Sequence, residues 1–464
     1  MAARRGTRRP VRALLGSIAL LAAAMVVPAS AEAAQPCGAP AAGQSPQRAD
    51  PSAVGLDPGK LAEAVAFASS RMRSNVQVYR YNCLVGEGPL NTATGTVPWN
   101  IWSATKSVVS MLAGIAVSDG RLDLDAPIGR YLPAGQGDAA HRAITVRNLL
   151  TETSGLRQSI VTEAAPSVAG ADPDVVAQSL ALPLDHQPGT YFEYGQRTPD
   201  LLAHIVQLAV GQDLQTFAQQ RLFGPIGIRP GSYFWLRDRS GNTYGHAHLY
   251  LPPDAFARLG MLMLGNGRWN SIQLIDPGYV RQAAQPTTTN PCYGYMFWTN
   301  NAPCVGPSVP SRQTFPAAPL QGLPADSYAM VGFLQQNNFL IPSLGLQVTW
   351  TGVLGDVSPD PQTLISASPN SELYHDFLRL LAQAVTSPRV PDPGPYQQTF
   401  NTDVRLDQFA DPSILLGTLG IGATAPPDCN ILFCHGNIPV QGSVQNGAAV
   451  TRTLLTALAG RPGS

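Results

Sequence analysis

Net charge is the first thing this chain lacks. Its 464 residues carry 30 basic and 30 acidic side chains, so no overall field steers it toward nucleic acid or an anionic membrane surface. Charge of either sign is scarce as well, at 13% of residues, about half the usual globular share. The N-terminal apolar run "ALLGSIALLAAAMVV" has about fifteen residues, short of the roughly twenty that span a bilayer. Internal repeats are absent, which excludes solenoids and propellers. Cys429, Cys434 and His435 have no fourth ligand nearby, so a disulfide loop is the better reading than a zinc site.

What is present points to a folded, exported, loop-rich protein. Hydrophobic residues make up 44%, with 44 glycines and 42 prolines. Arg4, Arg5, Arg8, Arg9 and Arg12 precede the apolar run, and small-residue cleavage options follow at Ala31 and Ala34. Residues 1–34 therefore read as a signal peptide, with Sec and twin-arginine export both open. No stable membrane anchor is expected, and the location is the cell envelope or the exterior. Six cysteines suit an oxidising compartment. Local spacing suggests Cys292 with Cys304 and Cys429 with Cys434, leaving Cys37 and Cys83.

Residues 35–53 read as a linker, 54–386 as the globular domain and 387–464 as a Pro/Gly-rich C-terminal extension. Within the domain, "KLAEAVAFASS" has helical periodicity and "NVQVYRYN" alternates like a strand. A helix after Ser103 places Val108, Leu112 and Ile115 on one face and stops at Asp119-Gly120. "LLAHIVQLAVG" repeats the pattern, whereas "SYAMVGFL", "NNFLIP" and "LGLQVTW" are strand-like. Strands at both ends with helices between them predict one sheet built from both chain ends and a helical insertion.

The chemistry centres on "IWSATKS", residues 101–107. Ser103 and Lys106 stand at i and i+3, on one face of a helix. A serine becomes a useful nucleophile when a neighbouring base takes its proton, and a desolvated lysine can be that base. The competing reading is a helix-capping serine with a solvated lysine.

The flanks favour chemistry. "IWSATKSVVSMLAGIAVSDGRLDLDAPIGRYLP", "ITVRNLLTETSGL", "QPGTYFEYGQRTPDLLAHIVQLAVG" and "LPPDAFARLGMLMLGNGRWN" resemble, in order, stretches of the serine beta-lactamase and penicillin-binding-protein superfamily. More specifically, the chain resembles the class C beta-lactamase and esterase branch and is similar to the 6-aminohexanoate-dimer hydrolases. The resemblance covers about residues 55–386. It implies an α/β (α+β) beta-lactamase/transpeptidase-like fold, a mostly antiparallel sheet flanked by helices with an inserted, mainly helical domain. It also implies an acyl-enzyme on Ser103, with Lys106 and Tyr194 sharing proton transfer, Tyr194 being lowered by ammonium neighbours. No metal or organic cofactor is implied.

Three departures qualify the resemblance. Glu152 stands where a histidine is common, and Gln196 replaces the asparagine of Tyr-x-Asn. The third motif, usually Lys-Thr-Gly, falls in "YAMVGFLQQNNFLIP". Anchoring that run on Gly332 and Pro342 puts Leu334-Gln335-Gln336 opposite the serine, without a cation. Gln196, Gln335, Gln336 and His246 are accordingly the candidate substrate-binding residues. For His246 and His248 an exposed loop pair is the other reading, and Trp102, Tyr244 and Trp298 either line an acyl pocket or simply pack. The expected substrate is a small ester, amide or peptide-like molecule. The rivals are a beta-lactamase or D,D-peptidase, and a non-catalytic envelope protein that binds with the same fold.

Overall fold

Strands supplied by both ends of the globular region form one sheet, in a computed structural model that describes residues 2, 37–71, 73–307, 312–352, 371–399, 411–437 and 440–459. The strands are β1 (Asn75–Arg80), β2 (Cys83–Glu87), β3 (Trp298–Thr299), β4 (Tyr328–Gly332), β5 (Gln336–Ile341) and β6 (Leu346–Thr351). Among the described residues they make a six-stranded sheet in the order β2-β1-β6-β5-β4-β3, with antiparallel pairings. The sheet expected from both chain ends is thus present, with antiparallel pairings rather than a mixture, and the roughly 200 residues between β2 and β3 carry most of the helices.

The sheet is covered on both faces, so its central strands are buried along their whole length. On one face lie α1 (Pro58–Ser69) and α8 (Glu372–Ala384); Trp350 of β6 meets Phe377 at 4.7 Å, and the Asn337 amide donates to Tyr374 at 2.7 Å. On the other face lies α6 (Pro253–Leu264). Asn338 and Gln347 donate to the carbonyls of Phe256 and Ala257, at 2.8 and 2.7 Å. Asn337 and Asn338 thus face opposite sides, as the two-residue period of a strand requires. Each asparagine amide nitrogen donates a hydrogen bond, which offsets part of the cost of placing these polar side chains in the sheet interior, while Asn337 Oδ1 has no hydrogen-bond partner among the described residues.

The helix after Ser103 is α2 (Ala104–Ser118), and 13 of its residues are buried. It lies beside β4 and beside α5 (Arg197–Val210), which ends at Gly211 in a left-handed conformation with φ 68°. Between them in sequence come α3 (Ile160–Val168) and α4 (Val175–Ala181). A short sheet of Trp99–Asn100, Leu249–Leu251 and Phe234–Trp235 brings residues 244–251 alongside the start of α2. The Ile101 N–H donates to Leu249 O at 3.0 Å.

The region's two ends meet. Asp57 N–H donates to Ala384 O and Thr386 N–H to Gly55 O, at 2.8 and 2.9 Å. Beyond them, α9 (Pro412–Thr418) lies on α3, and α10 (Gln441–Ala459) lies on Phe234–Trp235. The sulfurs pair as Cys37–Cys83, Cys292–Cys304 and Cys429–Cys434, matching the local-spacing expectation. Apart from Ala2, the segment read as a signal peptide lies outside the described residues, as do 35–36 of the linker and several stretches of the extension. No described helix is long and apolar enough to cross a membrane.

Gly114 sits mid-helix in α2 because α7 (Pro277–Ala283) crosses there. A β-carbon at this position would lie 2.6 Å from the Tyr279 ring and 2.9 Å from Ile275. Tyr279 cannot swing away, since its hydroxyl is held to Ser110 at 2.8 and 3.0 Å. Gly114→Ala is therefore expected to lower the unfolding free energy by about 1–2 kcal/mol, overpacking outweighing the gain in helix propensity. A urea midpoint shift at unchanged m value measures this.

Candidate active site

Ser103 stands at the N-terminal end of α2 and makes no capping bond to the helix backbone. Its hydroxyl is left to the side chains around it. The capped-helix alternative also fails at Lys106, which is 1% exposed. Lys106 Nζ reaches Ser103 Oγ at 3.4 Å, Gln196 Oε1 at 2.6 Å and the His246 carbonyl at 3.5 Å. These three acceptors occupy all the donors of an ammonium. In the neutral amine, two N–H groups can stay on Gln196 and His246 while the lone pair faces the serine hydroxyl. Burial lowers the amine to about 8, against the opposing pull of Glu152, Asp200 and Glu163.

Tyr194 joins the group from the segment before α5. Its phenol hydrogen bonds the Ser103 hydroxyl, and Lys106 Nζ lies 4.5 Å from the centre of its ring. The expectation that ammonium neighbours lower its pKa is reversed here. Burial pushes the phenol upward, the Ser103 hydrogen bond lowers it only in part, and Glu152 adds to the rise. Lys106 Nζ lies over the ring face, where the ring's π-system attracts the ammonium form. Tyr194 is thus a protonated hydroxyl at neutral pH. Tyr293 and Trp298 pack against it at 6.1 and 5.6 Å between ring centroids, so Trp298 forms part of its packing.

The remaining candidates divide. Gln196 is brought to the site, but as the partner of Lys106; its backbone N–H is held by Glu163 Oε2 at 2.8 Å. His246 is not an exposed loop residue. Its ring is 1% exposed and bonded to Asp200 at 2.9 Å and Ser167 at 3.2 Å. Only its carbonyl faces Lys106, so the ring does not reach toward a substrate. His248 bonds the same Ser167 hydroxyl at 2.8 Å and the Asn100 amide at 3.2 Å. Tyr244 is buried against both imidazoles, while Trp102, next to Ser103, lies half-buried against Phe333.

The strand facing the serine is β4, in a different register from the one expected. Gly332 lies so close to the loop leading into Ser103 that a β-carbon there would be 2.1 Å from Ile101 O. The motif position therefore ends at Gly332, preceded by the apolar Met330 and Val331. Leu334 and Gln335 belong to the hairpin turn beyond it, with φ of 55° and 63°. The Gln335 carbonyl accepts from Arg73 at 3.0 Å. The Gln336 amide is turned to the backbone of Gly352, accepting from its N–H at 3.1 Å. An anchor at Pro342 shifted the motif into the turn; the close backbone approach at Gly332 is what identifies the position. No cation enters with this strand in either register.

Sequence reasoning missed the charged layer behind Lys106. Arg197 is fully buried between Asp172 at 3.1 Å and Asp200 at 3.0 Å, and Asp200 in turn holds the His246 ring. Burial raises Asp172 to about 6, while His246 and Arg197 hold Asp200 at about 2. Glu163 accepts from the N–H groups of Ser159 and Gln196 at 2.6 and 2.8 Å. The available signal was Arg197-x-x-Asp200 in an otherwise apolar helix, an i,i+3 pair with no reason to be there unless buried. Among the described residues no group of acidic, His or Cys side chains is arranged to hold a metal ion.

Residues 78–343 match the beta-lactamase family model. The chain belongs to the beta-lactamase family. Relatives include the lovastatin esterase of Penicillium rubens, 29% identical over 209 residues, covering 39% of this chain and 50% of that protein. Esterase EstB of Burkholderia gladioli is 29% identical over 211 residues, covering 39% and 53%. The chain spans about half the length of these curated relatives. Among solved structures, a Bacillus anthracis protein assigned as a 6-aminohexanoate-dimer hydrolase superposes with a TM-score of 0.52 at 15% identity. It covers 68% of this chain and 78% of its own. That likeness is one of fold, and it agrees with the antiparallel sheet and helical insertion.

Asp200→Asn leaves Arg197 short of one of its two buried counter-charges. The expected loss is about 3 kcal/mol or more of stability, measured by chemical denaturation at neutral pH.

Proposed function

We propose that this beta-lactamase-family protein is an exported serine hydrolase of small esters or amides, acting through an acyl-enzyme on Ser103. The observation that carries the reading is Lys106, buried with Ser103 Oγ at 3.4 Å and two oxygen acceptors holding its other hydrogens. Lys106 as the neutral amine takes the Ser103 proton while Oγ bonds to the substrate carbonyl carbon. The carbonyl oxygen becomes an oxyanion, received by the Ser103 N–H and an N–H at the end of β4. Collapse expels the alcohol or amine. The proton returns from Lys106 to that leaving group, with the Tyr194 hydroxyl beside Oγ as the relay. Water then cleaves the acyl-enzyme by the same steps in reverse.

The apolar Met330-Val331 before Gly332 supports a substrate without a carboxylate at that position. It disfavours penicillins and D-Ala-D-Ala peptides, and the esterase relatives point the same way. Export is supported by the N-terminal pattern and the three disulfides.

A fluorophosphonate probe read by intact mass tests this. Wild-type protein is expected to gain one adduct, absent in Ser103→Ala and slowed about 10²-fold or more in Lys106→Met. Only the neutral amine is a base, so the labelling rate should rise as pH increases through about 8, where Lys106 loses its proton. Folded wild-type protein that takes no label under conditions that label a related esterase would overturn the hydrolase reading and favour the non-catalytic binding role.

A further inference from the structure

Trp102, the residue before Ser103, sits in the left-handed region with φ 47°. A bulky side chain avoids that region because its β-carbon crowds the backbone there, so other groups must hold the chain in it. Asparagine is a residue type whose side chain bonds the backbone two positions on, and Asn100 Oδ1 accepts the Trp102 N–H at 2.9 Å. That bond fixes which way the amide faces. Its nitrogen points at His248 Nδ1, 3.2 Å away. His248 Nδ1 is therefore an acceptor, which assigns the imidazole proton to Nε2, directed at Ser167 Oγ at 2.8 Å. Burial lowers His248 to about 3, in keeping with a neutral ring.

The line of bonds continues behind His248. Ser167 Oγ lies 3.2 Å from His246 Nε2 and 2.7 Å from Ala164 O, and His246 Nδ1 meets Asp200 at 2.9 Å. His248, Ser167, His246 and Asp200 are all buried. The Trp102 N–H is thus tied, through Asn100 and three further side chains, to the carboxylate that also pairs with Arg197. Other contacts hold the same loop. Asn100 pairs with Tyr250 in the short sheet, and the Tyr250 phenol also bonds the Asn100 side chain. The Trp102 ring packs 5.6 Å from the His248 ring and, edge-on, 5.5 Å from Phe333.

Rotation about the Trp102 backbone turns the Trp102–Ser103 peptide, which carries the Ser103 N–H, and displaces the serine Oγ with it. No backbone carbonyl takes that N–H among the described residues. We infer that Asn100 and His248 are positioning residues for Ser103. They hold Trp102 left-handed and so aim both the hydroxyl and the N–H of Ser103 at the substrate carbonyl. This rests on Ser103 acting as proposed above. Neither residue touches the reacting atoms; both act through Trp102.

Fluorophosphonate labelling at Ser103, followed over a range of probe concentrations, separates probe binding from the chemical step. Asn100→Ala should lower the limiting rate about tenfold or more. Half-saturation should stay within about twofold of wild type, and the rising limb should stay at pH about 8, since Lys106 is untouched. The same substitution is then made in a Trp102→Gly background. Glycine takes a positive φ without strain, so there the loss should shrink to about twofold or less. Asn100→Leu and Trp102→Asn serve where the first choices fail to fold, leucine keeping the bulk and asparagine tolerating this backbone region. His248→Ala should slow labelling about threefold or more in the wild-type background, and add little once Asn100 is replaced, because the two act in series. Losses for Asn100 that are equal with Trp102 and with glycine, or fully additive losses for Asn100 and His248, would overturn this inference alone. A wild type that never labels at Ser103 would overturn the hydrolase reading and, with it, the positioning role.

Discussion

A lysine shut away from water is the constraint on which the rest of this site depends. An ammonium is costly to desolvate, and Lys106 is one of only two lysines in the chain, the other being Lys60. The interior meets the cost with three oxygen acceptors on the nitrogen and carboxyl groups behind it. The same burial lowers the amine to about 8, near enough to neutrality for it to exchange a proton. Desolvation thus makes the lysine a liability for stability and at the same time brings its titration toward neutrality.

The architecture can be understood as the means of holding that group. Helix α2 is buried on nearly every side, so the turn carrying Ser103 and Lys106 is fixed from its flanks. The short sheet behind residues 244–251 brings the His246 carbonyl to the amine, and the start of α5 brings Gln196. Behind these, Arg197 with Asp172 and Asp200 forms a second buried charge layer that orients the His246 ring. Tyr194 stays a neutral phenol because it is buried, with Tyr293 and Trp298 packed against its ring. One face of β4 approaches Ile101 through Gly332, and no other residue could come so close.

Much of the fold was legible in the sequence because period and stop signals coincide there. The strands at Asn75–Arg80, Tyr328–Gly332, Gln336–Ile341 and Leu346–Thr351 overlap, to within a residue, runs that read as strands by alternation or apolar content. The helices ending at Ser118 and Val210 stop where a glycine follows. Ser103, Lys106 and Tyr194 were legible through motifs whose flanks extend over tens of residues. The third motif was misplaced by a few residues because glycine spacing does not say which backbone comes near which. Neither reading of His246, substrate contact or exposed loop, anticipated its burial, since nothing local indicates that Asp200, 46 positions away, will hold its ring.

By itself the sequence determined the family, the alternation of elements, the serine with its lysine, and the lack of a cation in the third motif. These are properties of short runs, where period, spacing and residue type carry the information. Only the tertiary structure decided what each polar group does. It made Tyr194 a neutral phenol, turned Gln336 and the His246 ring away, and left Glu152 as a buried carboxyl. The reason is that ionisation and hydrogen bonding depend on desolvation and on partners drawn from distant segments, and neither exists until the chain has folded.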